Sequence, residues 1–315
     1  MLALFILNNI WEREMTQKHK SDNRTLTIAS INWSGVWGDK ESNLGKMKTI
    51  ILEASAMGAD IVVFPELALS GYECDEEVRQ NQKPCGMHVA LAETIPGPST
   101  DDIGKLAVEL DVYIIFGMPE MGTDDAGIIY NSVAMLGPEG LVGKYRKLYL
   151  PGLPVFTETI CFKSGSELPV FDTRYGLIGL QICADFALVP EFSRIQSLKG
   201  ARIVISPSAI PAGIGRISSI PELAARRGSD NQVYTVIANH TGKERSVSFA
   251  GHSTIAGPLP DRPINIFANG QDNEETITAT INLQSLSYIQ SKRNTKKSVN
   301  WEFIAKEYAQ LIGTR

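Results

Sequence analysis

Short apolar runs alternate along this chain with segments whose apolar residues recur at helical spacing. Leu26–Trp33 (LTIASINW) reads as a buried strand. From about Asn43 to Met57, Leu44, Met47, Ile50, Ile51 and Ala54 fall on one face of a helix. Asp60–Phe64 is a short buried strand that stops at Pro65, and a helix over Ser99–Leu110 precedes the strand Val112–Phe116. Ile129–Leu136 and Leu141–Lys144 flank Gly137-Pro138-Glu139-Gly140 as a hairpin. The second half keeps this rhythm. Strands are predicted at Leu177–Ile182, Ile203–Ile205 and Val233–Ala238, with helices at Pro190–Lys199 and Ile220–Arg227. Strand patterns at Ser248–Ala256 and Thr276–Leu283 follow, and residues 298–312 carry Trp301, Ile304, Tyr308 and Leu311 at helical spacing. Such alternation predicts an α/β protein. The late strands without intervening helices argue against a plain parallel sheet.

Composition narrows the class. The chain has 315 residues, 43% hydrophobic and 21% charged, which fits a globular protein with a real core. With 30 basic and 35 acidic residues the net charge is −5, and no long basic run appears, so a nucleic-acid partner is not expected. No apolar stretch reaches the roughly 18 residues of a spanning helix, so no membrane partner is expected either. The opening MLALFIL ends at Asn8 and Asn9 without a basic flank or cleavage site, unlike a signal peptide. Residues 1–25 read as an extension, with Met15 an alternative start, 26–283 as one catalytic domain, and 284–315 as a tail. The four cysteines, Cys74, Cys85, Cys161 and Cys183, form no CxxC. With His19, His88, His240 and His252 they are too scattered along the chain for a zinc framework, so no metal is expected. So few cysteines in a large chain fit a reducing cytoplasm.

Three segments place a reactive side chain at or just after a strand-like stretch, where function gathers in open α/β sheets. They carry Glu66 (IVVFPELALSGYE), Lys147 (KYRKLYLPG) and Cys183 (LIGLQICADF). Each has a plain structural alternative: a cap, a solvated charge run, a buried thiol. A thiol nucleophile needs a base, and none of the four histidines sits in a recognisable context. A buried carboxylate such as Glu66 can take that role. A lysine near the thiol would favour the thiolate and stabilise an oxyanion. Tyr145, Lys147 and Tyr149 share one face if their segment is extended.

Together the three blocks resemble the carbon–nitrogen hydrolase (nitrilase-like) superfamily. The matching residues are Phe64-Pro65-Glu66-Leu67 through Ser70-Gly71-Tyr72, then Lys144-Tyr145-Arg146-Lys147 through Leu150-Pro151, then Ile182-Cys183-Ala184-Asp185 through Pro190-Glu191 and Arg194. Asn131-Ser132, Glu158 with Phe162 and Gly165, Arg227 with Asn231, and Phe249, Gly251 and Ser253 extend the likeness over about 26–283. Departures are an extra residue between Cys183 and Pro190-Glu191, Asp230 where Glu is usual, and His240 where Arg is frequent.

The resemblance implies a four-layer αββα sandwich and a homodimer or higher homo-oligomer joined through the tail. It implies hydrolysis of a small amide through a thioester, with no metal or organic cofactor. Cys183 would be the nucleophile, Glu66 the general base, and Lys147 with the Ala184 backbone N–H the oxyanion donors. Glu158, Tyr72 and Asn131 would support the site and the substrate. Ala184-Asp185 after the cysteine is closer to amidases than to nitrilases. Phe186, Ala187 and Leu188, where carbamoyl hydrolases usually carry arginines, favour an uncharged substrate, although Arg216 or Arg226 could anchor a carboxylate. The alternatives are an N-carbamoyl amino acid or amine hydrolase, a nitrilase, and a non-catalytic binding or scaffold protein.

Overall fold

The computed structural model describes residues 25–313 except 75, 124–126, 154–155, 214–219 and 294. The expectations for residues 1–24, including Met15, and for Arg216 lie outside the described residues. In chain order the first half runs β1 (Thr25–Asn32), α1 (Lys40–Ala56), β2 (Ile61–Val63), α2 (Glu76–Asn81), α3 (Gly86–Leu91), α4 (Pro98–Leu110), β3 (Tyr113–Met121), β4 (Ile129–Gly137), β5 (Gly140–Arg146) and α5 (Glu158–Cys161). The second half runs β6 (Val170–Phe171), β7 (Ile178–Leu180), α6 (Ala184–Leu188), α7 (Pro190–Leu198), β8 (Ile203–Ser208), α8 (Ile220–Asn231), β9 (Tyr234–Asn239), β10 (Thr241–Glu244), β11 (Val247–Ala250), β12 (Thr254–Ala256), β13 (Ile266–Asn269), β14 (Glu275–Asn282), α9 (Leu283–Lys292), α10 (Thr295–Ser298) and α11 (Trp301–Gly313).

The strands form two six-stranded sheets, β14-β1-β2-β3-β4-β5 and β13-β12-β9-β8-β7-β6, plus the β10–β11 hairpin. In each large sheet three consecutive members run parallel, β1-β2-β3 and β7-β8-β9. Antiparallel strands flank them on both sides. Parallel strands buried on both faces need unbroken apolar sequence, and IVV of β2 and IVIS of β8 supply it.

Four layers follow from where the apolar side chains go. Ile28, Val63, Ile115 and Val133 of one sheet meet Ile178, Ile205, Val236 and Ile255 of the other in the central core. The opposite face of the first sheet packs on Met47 and Ile51 of α1 and Ile103 and Ala107 of α4. The opposite face of the second packs on Ala224 and Ala225 of α8. Each fully buried Ile or Val contributes roughly 1.5–3 kcal/mol, so the layering outweighs any single polar contact at its edge. The ends of β1 and β9 also tie the two sheets together, where Trp33 N–H donates to Asn239 O (3.1 Å) and Thr241 N–H to Trp33 O (2.8 Å). Among the described residues no helix is long and apolar enough to cross a membrane.

The predicted strand Ser248–Ala256 is two strands in different sheets. Gly251 (φ 65°) and His252 (φ 56°) turn the chain between β11 and β12. The segment after Lys144 is extended only to Arg146, so Tyr145 and Lys147 are buried while Tyr149 is turned outward and is 45% exposed.

Candidate active site

Carboxyl ends of strands from both sheets deliver the site. Behind β2, Pro65 ends the strand and Leu67 takes a positive φ of 49°, which folds the Glu66 turn tightly back. The turn is pressed against β3 at Gly117. A Cβ there would lie 2.3 Å from Leu67 N and 2.7 Å from Glu66 Cα, so only glycine admits this approach. Gly117 N–H donates to Pro65 O (3.1 Å) and Leu69 N–H to Gly117 O (3.2 Å), fixing the depth at which Glu66 sits.

Lys147 follows β5 and is locked by its own backbone. Its N–H donates to Asn131 O (2.9 Å), and its carbonyl accepts from Gly165 N–H (2.8 Å). Cys183 follows β7 on a sharp bend, φ 46° and ψ −96°, a region that side chains rarely adopt and that needs support from around it. Asp185 provides that support. Its Oδ2 accepts from Tyr145 Oη (2.7 Å) and Ile182 N–H (3.1 Å), and its Oδ1 from Tyr149 N–H (2.7 Å). Cys183 N–H donates to Pro207 O (3.0 Å) at the second sheet. From α8, Arg227 Nη2 donates to Phe186 O (3.1 Å) just beyond the bend.

The side chains converge. Lys147 Nζ donates to Glu66 Oε1 at 2.6 Å and to Glu158 Oε1 at 2.7 Å, with all three groups buried. Asn131 Nδ2 donates to the same Glu66 oxygen (2.7 Å) and more weakly to Glu158 Oε2 (3.4 Å). Tyr72 Oη donates to Glu158 Oε1 (2.7 Å). Glu66 Oε2 is buried and, among the described residues, accepts no hydrogen bond. A buried carboxylate oxygen without a donor is costly unless it serves a purpose.

Burial works against the Lys147 ammonium, but Glu158 and Glu66 outweigh it and hold its pKa above the usual lysine value. Burial raises the Glu158 carboxyl against the pull of Lys147. Cys183 is raised well above an ordinary thiol. Burial is the largest cause and the Glu66 charge adds to it, while Lys147 and the Ala209 backbone N–H oppose. The thiol lies within the electrostatic reach of two carboxylates, Glu66 and Glu158, and one ammonium, Lys147.

Glu66, Lys147, Glu158, Asn131 and Tyr72 thus share one hydrogen-bonded cluster, and Cys183 feels its charges. Ala184 opens α6 directly behind the thiol. Arg226 lies exposed on α8. Phe186 is buried and packs with Ala224 and Ala225 of α8. The sequence pattern passed over four features. His240 Nε2 lies 2.6 Å from the Glu66 carbonyl oxygen and braces the turn from below, and Asp185 supports the bend. The basic pair flanking Tyr145 is not a solvated run, because Lys144 and Arg146 both pair with the buried Glu120. Finally, folding undoes the scatter of the other cysteines. Cys74, Cys85 and His88 bring their ligand atoms within 4.8 Å of one another, and Cys161 Sγ lies 3.0 Å from Cys74 Sγ. Chemistry-bearing spacing could have hinted only at Cys85 and His88, which share α3 and its start.

The two-sheet sandwich brings carboxylates, a lysine and a cysteine to its strand ends, and the comparisons give the family. The carbon-nitrogen hydrolase family model matches residues 27–290, and the chain belongs to that family. It is 35% identical to a nitrilase of Pyrococcus abyssi over 243 residues, 76% of this chain and 82% of the relative. It is 32% identical to human omega-amidase NIT2 over 262 residues, 80% of this chain and 87% of the relative. Among solved structures, Saccharomyces cerevisiae Nit3 superposes with a TM-score of 0.75 at 25% identity, covering 89% of this chain and 99% of that one. A carbon-nitrogen hydrolase from Helicobacter pylori G27 superposes with a TM-score of 0.78 at 21% identity, covering 91% and 99%.

Proposed function

We propose that this chain hydrolyses small carboxamides through a cysteine thioester, releasing ammonia and a carboxylic acid. The observation that carries the reading is the convergence of Glu66 and Lys147 at 2.6 Å beside a thiol whose pKa is raised. A raised thiol is a poor nucleophile at rest, so its proton must leave as the bond to carbon forms, and a base must stand ready. Glu66 fits that part, since Oε1 is held by Lys147 and Asn131 while Oε2, among the described residues, has no donor.

In the first half-reaction Glu66 takes the thiol proton as sulfur adds to the amide carbon. The carbonyl π pair moves to oxygen, and the ammonium of Lys147 with the Ala184 N–H steadies that charge. The oxyanion collapses, the carbon–nitrogen bond breaks, and protonated Glu66 gives its proton to the departing nitrogen. In the second half Glu66 takes a proton from water as it attacks the thioester, the carbon–sulfur bond breaks as the adduct collapses, and Glu66 returns its proton to sulfur. Removing one oxyanion donor of this kind costs on the order of 10²–10³ in rate. Glu158, Tyr72 and Asn131 keep Lys147 and Glu66 in register.

The names of the relatives include both amidase and nitrilase. Ala184-Asp185 after the nucleophile favours the amidase side. The test is ammonia release from a panel of small amides, N-carbamoyl compounds and nitriles, with Cys183→Ala as control. Release from amides that vanishes in the variant supports the reading. Release from nitriles alone would replace it. No release at all, with Cys183 inert to iodoacetamide, would leave a binding protein.

A further inference from the structure

Beside this site lies a second cluster that the reaction does not use. Cys74 ends the loop that carries Tyr72, Cys85 immediately precedes α3, His88 lies on α3, and Cys161 ends α5, the short helix that begins with Glu158. Cys85 and His88 are fully buried, and Cys161 is 2% exposed. Leu67, Val78, Ile129 and Phe162 enclose them. Cys74, Cys85 and His88 bring their ligand atoms within 4.8 Å of one another, and Cys161 Sγ joins them 3.0 Å from Cys74 Sγ. No disulfide joins any of them.

The histidine is set up from behind. His88 Nε2 lies 3.0 Å from Gly71 O, so Nε2 carries a proton, and Nδ1 is the nitrogen on the side of the sulfurs. Nδ1 is 3.8 Å from Cys74 Sγ. A backbone carbonyl holding the far nitrogen is the usual outer partner of a metal-bound imidazole. Zinc–sulfur bonds of about 2.3 Å and zinc–nitrogen bonds of about 2.0 Å give tetrahedron edges of roughly 3.5–3.8 Å, and the donor separations here bracket those edges. Ordinary core packing explains one buried thiol as a small hydrophobe. It does not explain three thiols and an imidazole aimed at each other inside an apolar pocket.

We propose that Cys74, Cys85, His88 and Cys161 form a buried Cys₃His site for one zinc-class divalent ion. The ion staples the Tyr72 loop to the helix that carries Glu158. Three thiolates and a neutral imidazole suit zinc over calcium or magnesium, which prefer oxygen ligands. The site is structural, because four protein ligands leave no open position. It holds in register the two groups that meet at 2.7 Å on the active-site side, Tyr72 Oη and Glu158 Oε1.

The test is metal content of the full chain, purified under reducing conditions and measured by plasma mass spectrometry. About one zinc per chain is expected, equally in the wild type and in Cys183→Ala. Cys85→Ser and His88→Ala are expected to lose it. A second measurement, independent of how those variants fold, uses the wild type alone. Cobalt(II) added to the chelator-stripped, reduced chain should give a thiolate-to-cobalt charge-transfer band and strong tetrahedral visible bands, both erased by zinc. Absence of bound metal together with absence of the cobalt bands overturns the proposal. So does peptide mapping that finds Cys74 and Cys161 joined in a disulfide in the freshly isolated protein.

Discussion

Removing the Lys147 ammonium would leave Glu66 and Glu158 facing each other in a buried site. Breaking a buried ion pair on one side costs about 3–5 kcal/mol, so Lys147→Met should be both inactive and clearly destabilised. Adding Glu158→Gln removes one of the stranded charges. The double variant should recover part of the denaturation midpoint without any recovery of ammonia release, which separates the structural role of the lysine from its chemical one. His240 gives the residue-scale pH signature. Burial lowers its pKa from 6.5 to about 4 despite the hydrogen bond to the Glu66 carbonyl. The unfolded chain therefore takes up this proton first as the pH falls. The stability that neutral His240 provides is complete above 6.5 and is lost progressively as the pH drops to about 4. The size of the loss is roughly 3 kcal/mol. Unfolding curves measured across that window should fall less steeply for His240→Gln than for the wild type, and a parallel fall would show that another group is responsible.

At the scale of elements, the close approach of β3 to the Glu66 turn is the feature most sensitive to one atom. Gly117→Ala puts a methyl group 2.3 Å from a backbone nitrogen that has nowhere to go. Overpacking of this kind costs about 1–3 kcal/mol. A shift of about 1 Å in a catalytic group costs on the order of 10²-fold in rate, so kcat should fall that far with little change in KM. A fall in KM-dependent binding alone would mean the turn positions substrate and not the base. The elements themselves differ in how far sequence reveals them. β2, β8 and β9 are buried along their whole length and show as largely apolar runs, and β1 is buried from Ile28 onward. β6 is two residues long and β13 is only partly buried, so neither has a pattern to find. The β11–β12 break escapes because φ at Gly251 and His252 is set by the sheets on either side, not by the apolar residues around them. α2, α3 and α5 are too short for helical periodicity to show.

For the whole molecule, the tail divides in two. Leu283, Leu286 and Ile289 of α9 are buried against the body, as an apolar helical face requires. None of the described side chains of α11 is buried, and Phe303 and Ile312 are 58% and 71% exposed. Large apolar groups concentrated on one exposed helix mark a contact surface. A second copy of this chain is the partner we propose, in keeping with the assembly expected from the resemblance. Light scattering should find a homo-oligomer that Phe303→Lys with Ile312→Lys shifts toward monomer, and a wild-type monomer at working concentration would refute it.

What the sequence determined by itself was everything that local physics enforces. Apolar runs mark central strands, apolar periodicity marks α1, α4 and α8, and the blocks around Glu66, Lys147 and Cys183 identify the family through residues that are contiguous in the chain. What only the tertiary structure decided were relations between distant segments. Nothing local to Lys147 places it between Glu66 and Glu158, and nothing local to Lys144 and Arg146 points them at Glu120. The scatter of Cys74, Cys85, His88 and Cys161 along the chain argues against a common site until α3, α5 and the Tyr72 loop close on one pocket. Such contacts depend on how two sheets stack and where their strand ends meet. That geometry is fixed by the buried surface of the whole sandwich, not by any one stretch of it.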